Sequence, residues 1–426
     1  MPARQVTGAR RVRSVTEQSR VATAELFLDV VFVFAFIQVT TLMTAEAGEL
    51  GVLHGLLVLT ILWWSWSLFA WLGNRAQASY GMSRLVILSV TPIMFVLTVT
   101  ISEAFTDVPG GTDTSLAFVA CFAAVRVLYL ALRIYATPGL SRVDLAALTV
   151  PMGVAVTLLL AAALLPRSNL GADQARAGQV VLWLLAVIVD YGAGQMLRVP
   201  ERQIFSARHW AERHNLIMIV ALGEVLVSVG IAGGSVPGSP GLLTASALAV
   251  VIAGALELIY FDLSALIGER ALRDADQARR VVLARDGYTF LHLPMIAGII
   301  LLALGLKHVP SLVGDAHAYR RGDPLDSLGL YAMYGGVALF MISHAAFQWR
   351  LSRAVRTLVW PRVVAAILLV ALIPVVARRS ALAALAWLSV ICVVTAVIEF
   401  FLTRRERRRL REALAEEECP NSEPAA

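Results

Sequence analysis

The chain has 426 residues, of which 58% are hydrophobic and 15% are charged, and its mean hydropathy is +0.74. Soluble domains are nearer half apolar and a quarter charged, so this composition excludes an ordinary soluble protein and predicts a polytopic membrane protein. The net charge of +6 does not indicate nucleic-acid binding, because the basic residues follow the membrane segments. Three cysteines, Cys121, Cys392 and Cys419, show no pairing or metal-ligand spacing and predict neither disulfides nor a zinc site.

Runs of about 20 apolar residues can cross a hydrocarbon core of roughly 30 Å. The first run carries two carboxylates and lacks a small-residue cleavage site, so we expect it to be retained and not cleaved as a signal peptide. Twelve spans are predicted, near residues 22–43, 50–72, 84–103, 115–136, 145–165, 179–197, 210–232, 242–265, 289–307, 327–347, 361–377 and 381–402. The last two are short, and a helical hairpin that does not cross fully is an alternative for them.

Basic residues are distributed unevenly between the two sides of this arrangement. Lys and Arg number 28 in the two tails and the even-numbered loops but 7 in the odd-numbered loops, and Arg126 lies inside the fourth span. Because cytoplasmic loops are enriched in Lys and Arg, both termini are predicted to be cytoplasmic.

An internal alignment indicates a duplication. A shift of 195 residues places Asp29 on Glu224 and the segment GNRA at 73–76 on GERA at 268–271, and shifts of 202 and 210 align prolines later in each half. Because six spans are an even number, the halves would share one orientation and form a parallel repeat.

The predicted fold is therefore an all-α polytopic membrane protein with about twelve transmembrane helices in two parallel six-helix repeats. Its parts are a basic amino tail (1–20), a first repeat (21–205), a second repeat (206–402) and a charged carboxyl tail (403–426). Asp29 and Glu224 are predicted to face each other at matching depth across the repeat interface.

Two acids open the first span, Glu25 and Asp29, and their i, i+4 spacing places them on one helix face. Glu25 could complement the positive helix end. The helix is predicted to begin before residue 22, which makes this explanation weaker for Asp29. A charge deep in a bilayer costs about 3 kcal/mol and is usually paired or solvated in a bundle interior, so Asp29 is predicted to have a functional or ion-pair role.

Glu224 lies near the middle of the seventh span, after Gly223, which could allow close approach of another backbone or an ion. Arg213 is three turns earlier on the same face. Two alternatives remain open for Glu224, a structural salt bridge to Arg126 and a proton or cation relay.

The segment HWAERH contributes His209, Glu212, Arg213 and His214 at the predicted cytoplasmic end of the seventh span. Its histidines are five residues apart, which differs from the His-Glu-x-x-His zinc pattern. A charged helix cap, gating, or proton exchange by a histidine are the alternatives.

Three further residues lie within predicted spans. His292 precedes Pro294 and could bond a freed carbonyl or take part in a relay. Asp190 and Glu257 complete the candidate set. The segment WWSWSLFAWL at 63–72 is predicted to form an interfacial aromatic belt, and the arginine-rich carboxyl tail is predicted to contact anionic lipid.

Two motifs in this chain resemble those of a known family. ELFLDVVFVFAFIQVT (25–40) is similar to the Glu-Leu-Phe-Phe-Asp-Leu-Val-Phe-Val signature of the bacterial low temperature requirement A family, and ARHWAERHNLIMIVALGEVLVSVG (207–230) to its His-Phe-x-Glu-Arg-His-Gly-Leu-x-x-Ile-x-x-Leu-Gly-Glu signature. YTFLHLPMIAGI (288–299) resembles a third element, and the likeness runs to about residue 400. Departures at Leu28, Trp210 and Asn215 remove no charged position.

The resemblance implies an integral membrane protein and carries no biochemical activity with it. Motif residues that correspond by position are Glu25, Asp29, His209, Glu212, Arg213, His214, Gly223, Glu224 and His292.

The residues predict a secondary transporter or permease for a small solute or ion, with Asp29 and Glu224 facing a polar pathway. A cation channel is the alternative within transport. From other classes, a membrane-embedded enzyme on lipid substrates or a membrane sensor is possible, although no nucleophile or metal motif favours the enzyme. The expected partners are membrane lipid, the transported solute and a second copy of the chain, with no nucleic acid and no cofactor. Pathway candidates are Glu25, Asp29, Arg126, Asp190, His209, Glu212, Arg213, His214, Glu224, Glu257 and His292.

Overall fold

A computed structural model describes residues 15–17, 19–46, 48–76, 78–105, 113–196, 203–234, 238–309, 324–351, 359–404 and 408. Within these ranges the chain is helical and forms no β-sheet. The helices are α1 (Thr23–Ala45), α2 (Glu49–Gly73), α3 (Gly81–Val99), α4 (Thr114–Ala136), α5 (Arg142–Leu164), α6 (Ala172–Met196), α7 (Ala207–Gly234), α8 (Pro240–Phe261), α9 (Ser264–Arg273), α10 (Gln277–Leu283), α11 (His292–Lys307), α12 (Ser327–Leu351), α13 (Val359–Val376) and α14 (Ala381–Leu402).

Twelve helical segments of the described chain are long and apolar enough to cross a membrane, which confirms the predicted number of spans. Two of them contain short helices, because α9 continues α8 and α10 leads through a π-helical turn at Ala284–Phe290 into α11. The last two spans are separate helices of 18 and 22 residues. Each is therefore long enough to cross by itself, and the hairpin alternative is not needed.

The first helix begins later than the sequence suggested. α1 starts at Thr23, so Glu25 lies in its first turn, where the side chain accepts a hydrogen bond from the backbone N–H of Ala22 at 2.9 Å. Such a bond satisfies one of the N–H groups that a helix start leaves without an intrahelical partner. The expectation that the helix begins before residue 22 was wrong, because the carboxylate itself caps the start.

The chain divides into two compact units, 1–224 with 272–285, and 225–271 with 286–426. In the first unit α1 packs on α2 and α3, successive helices from α3 to α6 pack in sequence, and α2 contacts α6. In the second unit successive helices from α11 to α14 pack in sequence, and α8 contacts α14. The boundary between the units lies within α7, after Glu224.

In the second unit α11 and α12 approach closely through glycines. A Cβ atom on Gly336 would lie 2.8 Å from Leu301 Cβ, and one on Gly305 would lie 2.7 Å from Met333 N. Small residues let helix backbones pack closely where lipid supplies no hydrophobic drive between helices. Glycine at these two positions is therefore required by packing.

A candidate functional site between α1 and α7

Two helices contribute acids and bases at the same spacing. Glu25 and Asp29 are four residues apart on α1, and His209 and Arg213 are four residues apart on α7. Residues at i and i+4 lie on one helix face, so each helix presents two successive polar groups in one direction. The sequence predicted that Glu25 and Asp29 share one face but did not predict that His209 and Arg213 lie opposite them.

The structure pairs these groups one to one. Glu25 Oε2 and His209 Nε2 are 3.0 Å apart, and Arg213 Nη1 donates to Asp29 Oδ2 at 2.9 Å. Farther along, the hydroxyl of Thr40 donates to Glu224 Oε1 at 2.8 Å. We call these three pairs the α1–α7 polar ladder.

Each pair of the ladder is separated by 184 residues. A constant offset over three contacts means that α1 and α7 run parallel and in register. From Asp29 to Thr40 the ladder advances 11 residues, or about 16 Å at 1.5 Å per residue.

This register corrects the expected placement of the two central acids. Asp29 is level with Arg213, and Glu224 is level with Thr40, so the two carboxylates lie about 16 Å apart along the helices. The expectation that Asp29 and Glu224 face each other at matching depth was wrong. The alignment behind it compared equivalent positions in sequence, whereas contacts between parallel helices follow the packing register.

The charged members of the ladder are almost completely enclosed. The exposed fractions are 2% for Glu25, 3% for Asp29, 1% for Arg213 and 1% for Glu224. Burying two ions costs several kcal/mol each, on the order of the attraction they regain, and removal of one partner leaves an uncompensated charge. The Asp29–Arg213 pair of the ladder is therefore coupled, in that neither member is tolerated without the other.

His209 is held by two partners that fix the position of its proton. The side-chain oxygen of Asn74 accepts from the backbone N–H groups of Phe205 and Ser206, and its amide nitrogen donates to Ser206 O at 2.7 Å. The same nitrogen lies 3.3 Å from His209 Nδ1, which must therefore accept. The proton is left on Nε2, where it is donated to Glu25. Neither Asn74 nor this tautomer was predicted from the sequence.

Space for the Glu25 carboxylate depends on a glycine of α2. A Cβ atom on Gly73 would overlap Glu25 Oε1. In contrast, a Cβ on Gly223 would meet no atom within 4 Å. Close approach of another backbone at Gly223 was therefore a wrong expectation, since the space beside it is open.

The tryptophans of α2 surround the middle of the ladder. Trp66 Nε1 donates to Asp29 Oδ1 at 2.8 Å, and the guanidinium of Arg213 lies 5.3 Å from the centroid of the Trp66 ring. Trp63 stacks on Trp66 at 4.9 Å, and the exposed fractions of the two are 2% and 0%. The predicted interfacial belt was wrong for these residues, because both rings are buried within the protein beside the Asp29–Arg213 pair.

The other two residues of HWAERH have different surroundings. His214 Nδ1 lies 2.9 Å from the carbonyl oxygen of Trp210, one turn earlier, and its ring meets Trp66 edge to face at 5.0 Å. Glu212 is half-buried and accepts from the backbone N–H of Val21 at 3.3 Å. Glu212 therefore ties the segment before α1 to α7, outside the ladder.

Arg126 has a different partner from the one considered in the sequence. Its guanidinium binds the carboxylate of Asp190, which joins α4 to α6, and both side chains are buried. The structure therefore does not adopt the Arg126–Glu224 salt bridge. Asp190 and Arg126 were both candidates, and the structure brings them together away from the ladder contacts.

In the second unit, His292 Nδ1 lies 3.1 Å from Gly287 O in the π-helical turn, and Nε2 lies 2.8 Å from the Tyr260 hydroxyl. The bonded carbonyl is thus not the one four residues before Pro294. Glu257 is exposed on α8 and does not face a bundle interior.

Sequence reasoning missed a buried ion pair in this unit. Arg362 was counted with a cytoplasmic loop, but it lies in α13 with an exposed fraction of 1% and binds Glu399 of α14 through Nε at 2.7 Å. The signal that could have found it is Glu399, an acid in the last apolar span. Arg126 is therefore not the one cation inside the spans.

Comparisons with known proteins agree with these motifs. The model of the family described as bacterial low temperature requirement A protein (LtrA) matches residues 20–397. The chain belongs to the LtrA family. An uncharacterized protein of Rhizobium meliloti (strain 1021) is 28% identical to it over 407 residues, covering 92% of each chain. No solved protein structure matches this LtrA family member.

The α1–α7 polar ladder lies on two of the matched motifs. It offers carboxylates, an imidazole, a guanidinium and the hydroxyl of Thr40. No group of three metal-ligand side chains occurs in the part of the chain that the structure describes.

Proposed function

We propose that this LtrA family member is a secondary transporter for a small solute or ion, and that the α1–α7 polar ladder couples movement of protons or cations to movement of the solute. The observation that carries the proposal is the run of three buried polar pairs at one constant register through an apolar helical chain. Ionisable residues inside a membrane are costly, and they commonly mark ion pathways and proton relays.

The ladder supplies a physical means of coupling. Each pair joins α1 to α7, so protonation of Asp29, or its capture of a cation, weakens its bond to Arg213 and loosens that contact. His209 lies beside this contact, and its two ring nitrogens face Glu25 and the amide of Asn74. The other titratable groups facing these two are Glu25 and Arg213.

The proposal also includes the orientation of the chain and the membrane that holds it. The excess of Lys and Arg in the tails and even-numbered loops supports cytoplasmic termini in a bacterial inner membrane. The matching order of helix neighbours in the two units, with α2 on α6 in one and α8 on α14 in the other, supports two parallel repeats.

The proposal is tested by proton uptake into proteoliposomes that enclose a pH-sensitive dye, under an imposed pH gradient and membrane potential. Glu224→Gln should reduce the rate of uptake about tenfold or more, because the amide cannot bind a proton or cation. Asp173→Asn is the matched control. The carboxylate of Asp173 is exposed at the start of α6, and its ion pair with Arg176 is long, at 3.9 Å. Equal uptake by wild type and Glu224→Gln would contradict the proposal.

The same vesicles separate a transporter from a cation channel. In a transporter, the uptake rate should saturate as the concentration of the driving ion rises, and the ion gradient should drive counter-transport. A rate that rises linearly, without coupling, would favour the channel.

A further inference from the structure

The second unit contains a cleft that the proposed transport function does not use. It opens between α8 and α14, has a volume of about 490 Å³, and is also lined by Arg362 of α13. On the α8 side it extends from Asp262, just after the helix, to Val251, which is 11 residues earlier, and on the α14 side from Thr403, just after that helix, to Val393. Eleven helical residues span about 16 Å, close to half of a hydrocarbon core of roughly 30 Å. The cleft therefore has the length of one lipid leaflet.

Apolar, exposed side chains form much of the wall of the cleft. Val251, Leu258 and Val397 have exposed fractions of 45%, 56% and 47%. Between them lies Gly254, where a Cβ atom would meet nothing within 4 Å. The missing side chain leaves a channel whose shape and chemistry suit an acyl chain.

Midway along the α8 side, the cleft carries charge. Glu257 is exposed there, although it lies within a span, and no described residue forms a hydrogen bond or ion pair with it. An ionised carboxylate on an apolar outer surface is costly unless a cation approaches it. Since the described protein supplies none, the geometry calls for a cation from outside.

Arg362 provides a second polar contact. Its Nε and Nη2 groups bind both carboxylate oxygens of Glu399, at 2.7 and 2.8 Å, while its buried Nη1 has no acceptor among the described residues. Buried N–H groups are normally satisfied, and a phosphate oxygen entering the cleft would serve.

We infer that this cleft binds one phospholipid whose zwitterionic headgroup bears a primary amine. The ammonium group lies against Glu257, the phosphate faces Arg362, and an acyl chain follows Gly254. An anionic lipid fits less well, because the lining residues Glu257, Asp262 and Glu399 outnumber the single guanidinium. An aminophospholipid provides both the cation that Glu257 lacks and the acceptor that Arg362 lacks.

Native mass spectrometry of the purified full-length protein tests this inference. The probes are palmitoyl-oleoyl phosphatidylethanolamine, phosphatidylcholine and phosphatidylglycerol, titrated separately. Wild type should bind one phosphatidylethanolamine at least about fivefold more tightly than phosphatidylglycerol. Glu257→Gln, at an exposed position that does not support the fold, should lower affinity for phosphatidylethanolamine about fivefold without lowering affinity for phosphatidylglycerol.

Filling the cleft provides an independent test. Gly254→Leu should reduce binding of phosphatidylethanolamine severalfold, whereas Gly230→Leu, at an exposed position of α7 with equally open space, should not. Three results would overturn the inference: phosphatidylcholine bound as tightly as phosphatidylethanolamine, phosphatidylglycerol bound as tightly as phosphatidylethanolamine, or no effect of Glu257→Gln on phosphatidylethanolamine.

Discussion

The polar side chains of the α1–α7 polar ladder are stable in the protein interior because they bind one another. Asp29 receives hydrogen bonds from Arg213 and Trp66, and Arg213 also lies over the Trp66 ring. Such a cluster is enclosed by aromatic rings instead of water, so its members compensate one another. Loss of one member therefore has consequences for the others.

This dependence predicts strongly non-additive mutations. Asp29→Asn or Arg213→Gln alone should lower the free energy of unfolding by about 3–5 kcal/mol, because each leaves a buried charge without its partner. The double variant Asp29→Leu/Arg213→Met should recover most of that loss, less about 1–3 kcal/mol for the N–H of Trp66 left without an acceptor. Thermal unfolding of detergent-purified variants measures this, and additive effects of the two single changes would contradict the account.

Residue chemistry was only partly predictable from the sequence. The i, i+4 spacing of Glu25 and Asp29 correctly indicated one polar face, because helix geometry fixes which side chains share a direction. Nothing in a single helix specifies the helix opposite, so His209 and Arg213 were candidates without known partners. Trp66 was misassigned because tryptophans around a buried ion pair have the same composition as tryptophans at a membrane surface.

The pairing of helices is the next scale, and here the constant offset of 184 residues is the informative quantity. It relates positions along the whole contact, including pairs of residues that form no polar bond. Between Asp29 and Thr40 the facing position on α1 is Phe36, seven residues after Asp29, and its counterpart in register on α7 is Val220.

This register predicts a specific cross-link. In a variant with its three native cysteines replaced, Phe36→Cys and Val220→Cys should be joined by a short bifunctional maleimide. The pair Phe36→Cys and Ile231→Cys, which follows the repeat offset of 195 instead, should not be joined. Gel mobility after cleavage of the connecting loop reports the product. A product for the second pair alone would show that the helices pack in another register.

Helix existence was predictable where helix partners were not. Hydropathy over about 20 residues depends only on the length needed to cross lipid, and all twelve spans were found. The ends of the helices were less predictable, because single side chains such as Glu25 determine where a helix begins. Arg362 was missed because it lies only three residues into α13, near such an end.

At the scale of the whole molecule, the orientation of the helices in the membrane is itself a prediction. Ser141 immediately precedes α5 and Ser168 follows its end, and both are exposed. In the cysteine-free background, Ser168→Cys should react with a membrane-impermeant maleimide in intact cells, and Ser141→Cys only after permeabilisation, because the loop containing Ser141 is predicted to be cytoplasmic. The opposite labelling pattern would invert the proposed topology.

Duplication is argued at this scale as well. The offsets of 195, 202 and 210 in the sequence and the similar order of helix neighbours in the two units both favour a duplication. The buried ion pairs of the two units nevertheless differ. Arg126 joins α4 to α6 in the first unit, whereas Arg362 joins α13 to α14 in the second. If the two halves arose from one ancestor, the buried ion pairs within each half have since diverged. The ladder, which joins the first helix of one predicted repeat to the first helix of the other, is then the candidate for the function of the whole protein.

The measurement that tests the central claim most directly is proton uptake by proteoliposomes containing Asp29→Leu/Arg213→Met. This double variant removes the middle pair of the ladder without leaving a lone buried charge, so it separates function from stability. The account predicts that the variant folds and inserts, unfolds near the wild-type temperature, and takes up protons at less than about a tenth of the wild-type rate. Wild-type uptake by the inserted variant would show that the ladder only holds α1 against α7, and that any transport pathway lies elsewhere.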